Sequence, residues 1–193
     1  MREFIYFSRD ARTSGNFQDL MKAGRMDIAC HTIIAAFFLS HNLREDVKLH
    51  LIFYGPPDPP KHLEIISSER LHEFLSKKDV AGLIKRMLFK YKKGKKTEPF
   101  PSCFIEKKSL LNLIEELKKE GKEIYILDKK GNSLRNQKLS NKSVFLLGDH
   151  KGIPQKEKKR ISKIAEKVSI GPNMYFASHT LTILQNELDI RNL

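Results

Sequence analysis

Short apolar runs with strand alternation recur along the chain, and segments with helical spacing separate them. Residues 47–54, Val-Lys-Leu-His-Leu-Ile-Phe-Tyr, alternate between outward and inward positions, which is typical of a strand. The pattern predicts strands at residues 3–7, 47–54, 62–66, 103–106, 123–127, 143–147 and 168–170. It predicts helices at residues 25–40, from an N-cap at Asp79 through Leu88, from an N-cap at Ser109 to Lys119, at 154–166 and at 177–190.

The order of these elements predicts the fold class. Strands that alternate with helices form a mostly parallel sheet with helices on both faces, which is an α/β fold. The chain has 193 residues, which suits one domain with a real core, and neither a repeat nor a linker divides it. We therefore expect a single domain over residues 1–193.

The last quarter of the chain holds two strands that run directly into Gly/Pro loops and then into helices. The loops begin at Gly148 and at Ile170. In a parallel sheet, ligands bind outside the carboxyl ends of the strands, so these loops predict one cleft built largely from backbone groups. The sequence pairs no nucleophile with a base and has no Cys/His zinc spacing, so we predict no metal. We expect the chemistry to come from a bound cofactor.

The composition favours a polyanionic partner. Lys and Arg number 36 against 23 Asp and Glu, a net charge of +13. Heat-stable proteins are also rich in lysine, but they balance it with glutamate, whereas the excess here is one-sided. A basic surface of this size commonly serves a nucleic acid. The basic runs are Lys85-Arg86, Lys90 to Lys96 and Lys151 to Arg160, and a solvated face is the alternative interpretation of each.

Two other observations concern the cell compartment. No window of 18 apolar residues occurs, so no membrane partner is expected. The two cysteines, Cys30 and Cys103, are too few for a disulfide framework. Cys30 and His31 lie on the apolar helix, where we expect a buried thiol and a core histidine. A reducing, cytoplasmic location is the expectation.

A candidate substrate site lies at Gly24-Arg25-Met26-Asp27, where a helix is predicted to begin. The free amides of a helix start favour anions, and the Arg25 guanidinium can bind a phosphate or a base edge. Asp27 can accept a hydrogen bond from a base N–H. The alternative is an Arg–Asp pair that only fixes the loop.

Several motifs resemble a known family. Three of them, followed by an amphipathic helix, are similar to the SPOUT class of S-adenosylmethionine-dependent RNA methyltransferases: Leu147-Gly148-Asp149-His150-x-Gly152, Ser169-Ile170-x-Pro172 and Ala177-x-His179. At the amino end, the matching motifs resemble the TrmY family of archaeal tRNA pseudouridine-N1 methyltransferases: Gly24-Arg25-x-Asp27, Ala36-Phe37-Phe38-Leu39-Ser40-His41 and Tyr54-Gly55-x-Pro57-x-Pro59-Pro60. The resemblance covers nearly the whole chain and is weakest over residues 68–108.

The resemblance implies a function. It implies a dimeric enzyme that transfers a methyl group from S-adenosylmethionine to N1 of pseudouridine in the T-loop of tRNA, at position 54. It also implies a C-terminal trefoil knot and a cofactor-binding region at about residues 122–193. Alternatives are the same fold acting on a ribosomal pseudouridine or a ribose hydroxyl, and a non-catalytic RNA-binding protein.

The resemblance also assigns roles to single residues. Asp27 and Arg25 become the candidate catalytic residues. The cofactor-binding residues that it implies are Leu127, Gly148, Gly152, Ile170, Gly171, Pro172, Asn173, Met174, Tyr175 and Thr180. Close relatives often have cysteine at the position of Thr180, so a thiol role there is absent.

Overall fold

The computed structural model describes residues 1–73 and 76–193. The strands of this part are β1 (Arg2–Ser8), β2 (Val47–Phe53), β3 (Lys61–Ile66), β4 (Thr97–Phe100), β5 (Cys103–Glu106), β6 (Glu123–Ser133), β7 (Ser143–Gly148) and β8 (Glu166–Ser169). The α-helices are α1 (Met26–Phe37), α2 (Lys77–Phe89), α3 (Leu110–Lys119), α4 (Gln155–Ile161) and α5 (Ala177–Ile190). Short 3-10 helices span Glu69–Glu73 and Leu134–Asn136.

The strands form one eight-stranded sheet in the order β4-β5-β3-β2-β1-β7-β6-β8. β1 pairs in parallel with β2 and β7, and β6 pairs in parallel with β7 and β8. The remaining pairings, β2 with β3, β3 with β5 and β4 with β5, are antiparallel. The sheet is thus mostly parallel, with an antiparallel extension at one edge.

Helices cover both faces of the sheet, as predicted. Along β1, Phe4 and Tyr6 belong to the core under α1, α2 and α5, whereas Ile5 and Phe7 belong to the core under α3 and α4. All four side chains are fully buried. A strand buried on both faces reads as a continuous apolar run, which explains the sequence Phe-Ile-Tyr-Phe.

The two ends of the chain are joined beside the sheet. The Arg2 guanidinium donates to the carbonyl of Leu193 over 2.8 Å and pairs with Asp189 at 2.6 Å. Arg44 pairs with the same carboxylate at 2.7 Å. These contacts hold the end of α5 against β1, so the last helix is part of the folded core.

Several element boundaries differ from the predictions. The N-cap of α2 is Ser76, not Asp79. The Ser76 hydroxyl accepts a hydrogen bond from the Asp79 amide, and the Asp79 carboxylate accepts one from the Ser76 amide, which together form a capping box. The residues around Pro99, for which no strand was predicted, form β4, because a strand at the sheet edge tolerates proline.

Two more element boundaries, both near the C-terminus, differ from the predicted ones. The helix predicted over 154–166 ends at Ile161, since β8 already begins at Glu166. β6 extends through the polar stretch to Ser133, where it resumes pairing with β8 after an irregularity. No helix in the described part of the chain is long and apolar enough to cross a bilayer.

Candidate functional site

A cleft lies at the carboxyl ends of β7 and β8, beside residues 126–129 of β6, where the pairing of β6 with β8 is interrupted. These strands are parallel, so their ends meet at one edge of the sheet, where ligands of α/β proteins bind. The cleft has a volume of about 260 Å³, near the lower end of the range for small-molecule sites, roughly 300–1,000 Å³. The cleft is lined by residues 126–129 of β6, the loops after β7 and β8, Lys158 of α4 and the first turn of α5.

The predicted cofactor-binding residues gather at this cleft. Its lining includes Leu127, Gly148, Gly152, Ile170, Gly171, Asn173, Met174, Tyr175 and Thr180. Pro172 lies in the same loop but is not among the lining residues. Met174 and Tyr175 are well exposed, so they form the outer wall. The geometry brings these residues together, and their binding role stays a prediction.

The loop after β7 folds back tightly on Gly148. A Cβ atom at Gly148 would lie 2.9 Å from the Gly152 Cα, closer than real Cβ contacts allow. The amide of Gly152 donates to the Asp149 carbonyl over 2.9 Å, and Gly152 has a φ of 67°. A larger residue at position 148 would therefore distort the loop itself, in addition to crowding a ligand.

Asp149 organises the mouth of the cleft, although its role was not predicted. Its buried carboxylate accepts bonds from the Ser8 hydroxyl at 2.8 Å, the Arg9 amide at 3.0 Å and the Lys151 amide at 2.8 Å. These bonds tie the loop after β1 to the loop after β7. The motif around Gly148 contained Asp149, but only the sheet order reveals that β1 and β7 are neighbours.

Two charged groups stand at the edge of the cleft near β6. Asp128 pairs with Lys158 at 2.8 Å, and both residues line the cavity. The hydrogen bond from Lys158 lowers the pKa of the Asp128 carboxyl. Asp128 is thus an ionised acceptor at the cleft at neutral pH. Neither residue was predicted, since both look like ordinary surface charges in the sequence.

Arg25 and Asp27 form a two-bond ion pair at the start of α1. The Arg25 Nε and Nη2 atoms each donate to one oxygen of Asp27, both over 3.0 Å. Arg25 has a left-handed backbone, with φ 61° and ψ 42°, a conformation that costs energy for a residue other than glycine. Asp27 is largely buried, whereas the Arg25 side chain remains 37% exposed.

The electrostatics of this pair favour both charged forms. The hydrogen bond from Arg25 lowers the pKa of Asp27, and the same bond raises the pKa of Arg25. Asp27 is therefore an ionised acceptor at neutral pH, and only a weak base. The geometry is consistent with both earlier interpretations, a substrate contact and a pair that fixes the loop.

The ion pair and the cleft lie at the same edge of the sheet. α1 connects β1 to the parallel strand β2, so α1 begins at the carboxyl edge, and α5 begins there after β8. The buried phenol of Tyr6 lies between them. Burial is the main reason that the pKa of the Tyr6 phenol is raised, and the charges of Asp149 and Asp27 raise it further. Its hydroxyl has no hydrogen-bond partner among the described residues.

Other candidates were tested by their surroundings. Hydrogen bonds from Lys107 and Lys61 lower the pKa of Asp58 to about 2, so this carboxylate is fully engaged as an ion-pair partner. Cys30 is fully buried, which confirms the buried thiol, and this burial raises its pKa to about 12. The expectation of a core histidine at His31 was wrong, because His31 is exposed on the outer side of α1. His150, in the loop after β7, is also exposed.

A buried histidine pair spans the sheet away from the cleft. His50 Nδ1 lies 2.9 Å from His62 Nε2, while Glu3 and Glu106 lie at 2.9 and 3.0 Å from the outer ring nitrogens. With Glu64, the two histidines bring possible metal ligands within 4.8 Å. The two inner nitrogens, Nδ1 of His50 and Nε2 of His62, lie within hydrogen-bond distance of each other. This alignment suits a hydrogen bond better than convergence on a tetrahedral ion.

Comparisons with known proteins agree over the whole chain. A family model described as "Putative SAM-dependent RNA methyltransferase" matches residues 1–193. A tRNA (pseudouridine(54)-N(1))-methyltransferase of Methanococcus aeolicus is 38% identical over 199 residues, covering 98% of each chain. Proteins of the same name from Methanococcoides burtonii and Methanocaldococcus jannaschii are 36% and 32% identical, covering 100% of this chain and 98% of theirs.

One solved structure resembles the fold closely. The crystal structure of Archaeoglobus fulgidus Nep1 bound to S-adenosylhomocysteine aligns with a TM-score of 0.66 and 14% identity. The alignment covers 100% of this chain and 99% of that one. At this identity the likeness concerns the fold alone.

Proposed function

Because this chain belongs to the family of SAM-dependent RNA methyltransferases, we propose that it transfers a methyl group from S-adenosylmethionine to N1 of pseudouridine 54 in tRNA. The observation that carries this proposal is similarity over the full length to relatives named for this reaction. The cleft at the ends of β7 and β8, beside β6, supplies a place for the cofactor.

The cleft suits a sulfonium nucleoside cofactor. Leu127 and Ile170 offer apolar contacts for an adenine ring, and the loops at Gly148–Gly152 and Ile170–Asn173 offer backbone groups for hydrogen bonds. Asp128 offers an ionised acceptor of the kind that ribose hydroxyls bind. When bound, S-adenosylmethionine supplies an electrophilic methyl group, so the protein needs to provide only position and exclusion of water.

The chemistry of the target explains the need for an acceptor. N1 of pseudouridine carries a proton, whereas N1 of uridine is bonded to the ribose and is blocked. The N1 proton must leave as the methyl group arrives. Asp27 is proposed to accept the N1–H hydrogen bond and orient the base, and Arg25 to hold Asp27 and the nucleotide. As the methyl group passes from the sulfonium to N1, the N1 proton is released to solvent. The lowered pKa of Asp27 favours a carboxylate that orients the N1–H over a strong base that keeps the proton.

The remaining proposals concern the whole protein. Residues 1–193 are proposed to form one domain whose cofactor-binding region is about 122–193. We place the C-terminal trefoil knot of the SPOUT fold in β6, β7, β8 and α5. An experimental structure tests the knot by whether the C-terminal segment passes through a loop made by preceding residues. A homodimer in the cytoplasm is expected, and light scattering tests the dimer.

Ligand binding tests the cleft. S-adenosylhomocysteine at about a hundredfold over its dissociation constant should stabilise the protein by roughly 2.7 kcal/mol and raise the melting temperature. NAD and ATP serve as controls and should leave it unchanged. Gly148→Val should abolish the shift, since the loop at Gly152 cannot accommodate the side chain. No shift with saturating S-adenosylhomocysteine would contradict the proposal.

A further inference from the structure

The outer side of α2 has an unusual composition for a solvated helix. Its buried side holds Val80, Leu83, Ile84 and Met87. Its outer stripe, at helical spacing, holds Lys78, Gly82, Lys85 with Arg86, and Phe89. Basic residues are common on the solvent-exposed face of a helix. A glycine in the middle of that face and an exposed phenylalanine at its end are less usual, because neither residue is favoured at an exposed helix position.

Gly82 has no explanation inside the fold. Glycine in a helix interior costs about 1 kcal/mol relative to alanine. A Cβ atom added at Gly82 would meet nothing within 4 Å, so packing does not demand glycine there. Its φ is not among the positive values, so the backbone does not demand it either. A binding partner would explain the glycine, if the backbone of that partner approaches the helix closely at position 82.

Phe89 is exposed and yet held in place. Its side chain is 65% exposed at the end of α2. The ring rests on Gly15, because a Cβ atom there would lie 2.5 Å from the Phe89 ring and 2.7 Å from the carbonyl of Lys85. The Lys85 ammonium lies 5.0 Å from the Phe17 ring centre. The exposed Phe89 ring, which rests on Gly15 one helical turn from Lys85, is a platform on which a nucleobase can stack.

The stripe runs away from the candidate substrate site. α2 packs against α1, which begins beside the Arg25–Asp27 pair. The charge of Lys77, the first residue of α2, also lowers the pKa of Asp27, after the larger effect of the bond from Arg25. α2 has 13 residues and is therefore about 20 Å long. Phe89, at its other end, contacts the loop that leads from β1 to Arg25. A strand of RNA seated at Asp27 can thus continue along α2.

We propose that the outer face of α2 is a docking surface for the RNA substrate, with phosphates at Lys85 and Arg86, the sugar–phosphate backbone close to Gly82, and a base stacked on Phe89. This inference rests on the proposed function for the presence of an RNA substrate. The positive charge of this face favours a polyanion such as RNA as its occupant. Asp79 is the acid nearby, and its carboxylate is bonded to Ser76 in the helix cap. A second copy docked on this face through its own α2 would bring the like charges of Lys78, Lys85 and Arg86 together.

Substitutions at Gly82 separate folding from binding. Gly82→Ala and Gly82→Gln should raise the melting temperature by about 2 °C, because both residues favour a helix. Gly82→Gln should nevertheless weaken tRNA binding about tenfold, since its side chain occupies the approach to the helix. Lys119→Gln, on the exposed side of α3 across the sheet, is the control and should change neither. Unchanged tRNA affinity in Gly82→Gln would overturn the close approach.

Substitutions at Phe89 test the stacking. Phe89→Ala and Phe89→Leu should both weaken tRNA binding about tenfold, because neither side chain has an aromatic ring. Phe89→Tyr should bind tRNA like the wild type, because it keeps the ring. S-adenosylhomocysteine affinity should stay unchanged in all three. Equal tRNA affinity of Phe89→Ala and the wild type would overturn the platform. So would a loss of self-association in Phe89→Ala by light scattering, because the face would then be an interface between copies.

The same series distinguishes this inference from the proposed function. Wild-type protein that binds tRNA through α2 but transfers no methyl group would leave the docking surface standing and contradict the function. If the wild-type protein transfers the methyl group, and both Gly82→Gln and Phe89→Ala bind tRNA as tightly as it does, the proposed function would stand and the docking surface would be contradicted.

Discussion

At the scale of single residues, the charged groups work in pairs. Arg25 holds Asp27 with two bonds, Lys158 holds Asp128, and His50 lies between Glu3 and His62. Hydrogen bonds from these partners lower the pKa of the Asp27, Asp128 and Glu3 carboxyls, whereas burial alone would raise it. The roles of these residues therefore depend on contacts that single positions in a sequence do not reveal.

The Asp27 carboxylate should matter for methyl transfer and not for cofactor binding. Asp27→Asn removes the ionised acceptor proposed for the N1 proton, so the single-turnover rate should fall about a hundredfold. The affinity for S-adenosylhomocysteine should stay the same. Asp58→Asn is the matched control, because Asp58 already pairs with Lys61 and Lys107. A wild-type rate in Asp27→Asn would show that the pair only fixes the loop.

Glu3 should make stability depend on pH in the acid range. Burial alone would raise its pKa, but hydrogen bonds from His50 and Lys122 outweigh it and lower the pKa from 4.5 to about 2. Because the folded pKa is depressed, the stabilisation is present above pH 4.5 and is lost as the pH falls towards 2. The contribution is about 3 kcal/mol.

Denaturant unfolding at several pH values measures this effect. Glu3→Gln should lower the free energy of unfolding at pH 7 and flatten its decline between pH 4.5 and 2. Glu120→Gln, at the exposed end of α3, should do neither. The same acid dependence in Glu3→Gln and the wild type would contradict the assignment.

At the scale of elements, the sequence predicted most helices and strands correctly. Apolar periodicity was enough for β5 and α5, and the N-cap at Ser109 predicted the start of α3. It failed where tertiary context decides. β4 forms against the prolines because β5 offers it an edge. The extension of β6 depends on pairing with β8, which the local sequence does not contain.

The cap of α2 illustrates the same limit and gives a test. Ser76 and Asp79 are both good cap residues, and only the backbone shows that Ser76 is the cap. Ser76→Ala should therefore cost about 1 kcal/mol and lower the melting temperature by about 2–4 °C. Ser133→Ala is a matched control, because Ser133 precedes the 3-10 helix at Leu134 without a side-chain cap bond. Equal melting temperatures for the two variants would contradict the capping box.

At the scale of the whole molecule, the candidate site assembles from both ends of the chain. Gly148, Ile170 and Thr180 come from the last quarter, whereas Arg25 and Asp27 come from the first. Motifs alone predicted each group, and the parallel pairing of β1 with β7 explains why they share one edge. The sequence predicted Lys85-Arg86 as a basic run, but it missed the roles of Asp149 and Asp128, because these depend on which loops meet in space.

Methyl transfer to a matched pair of tRNAs tests the central claim most directly. The two tRNAs differ only in having uridine or pseudouridine at position 54, and both are incubated with the protein and S-adenosylmethionine. Only the pseudouridine tRNA should gain a methyl group, and nucleoside mass spectrometry should identify it as N1-methylpseudouridine. Equal methylation of both tRNAs would contradict the account, because N1 of uridine is blocked by the ribose.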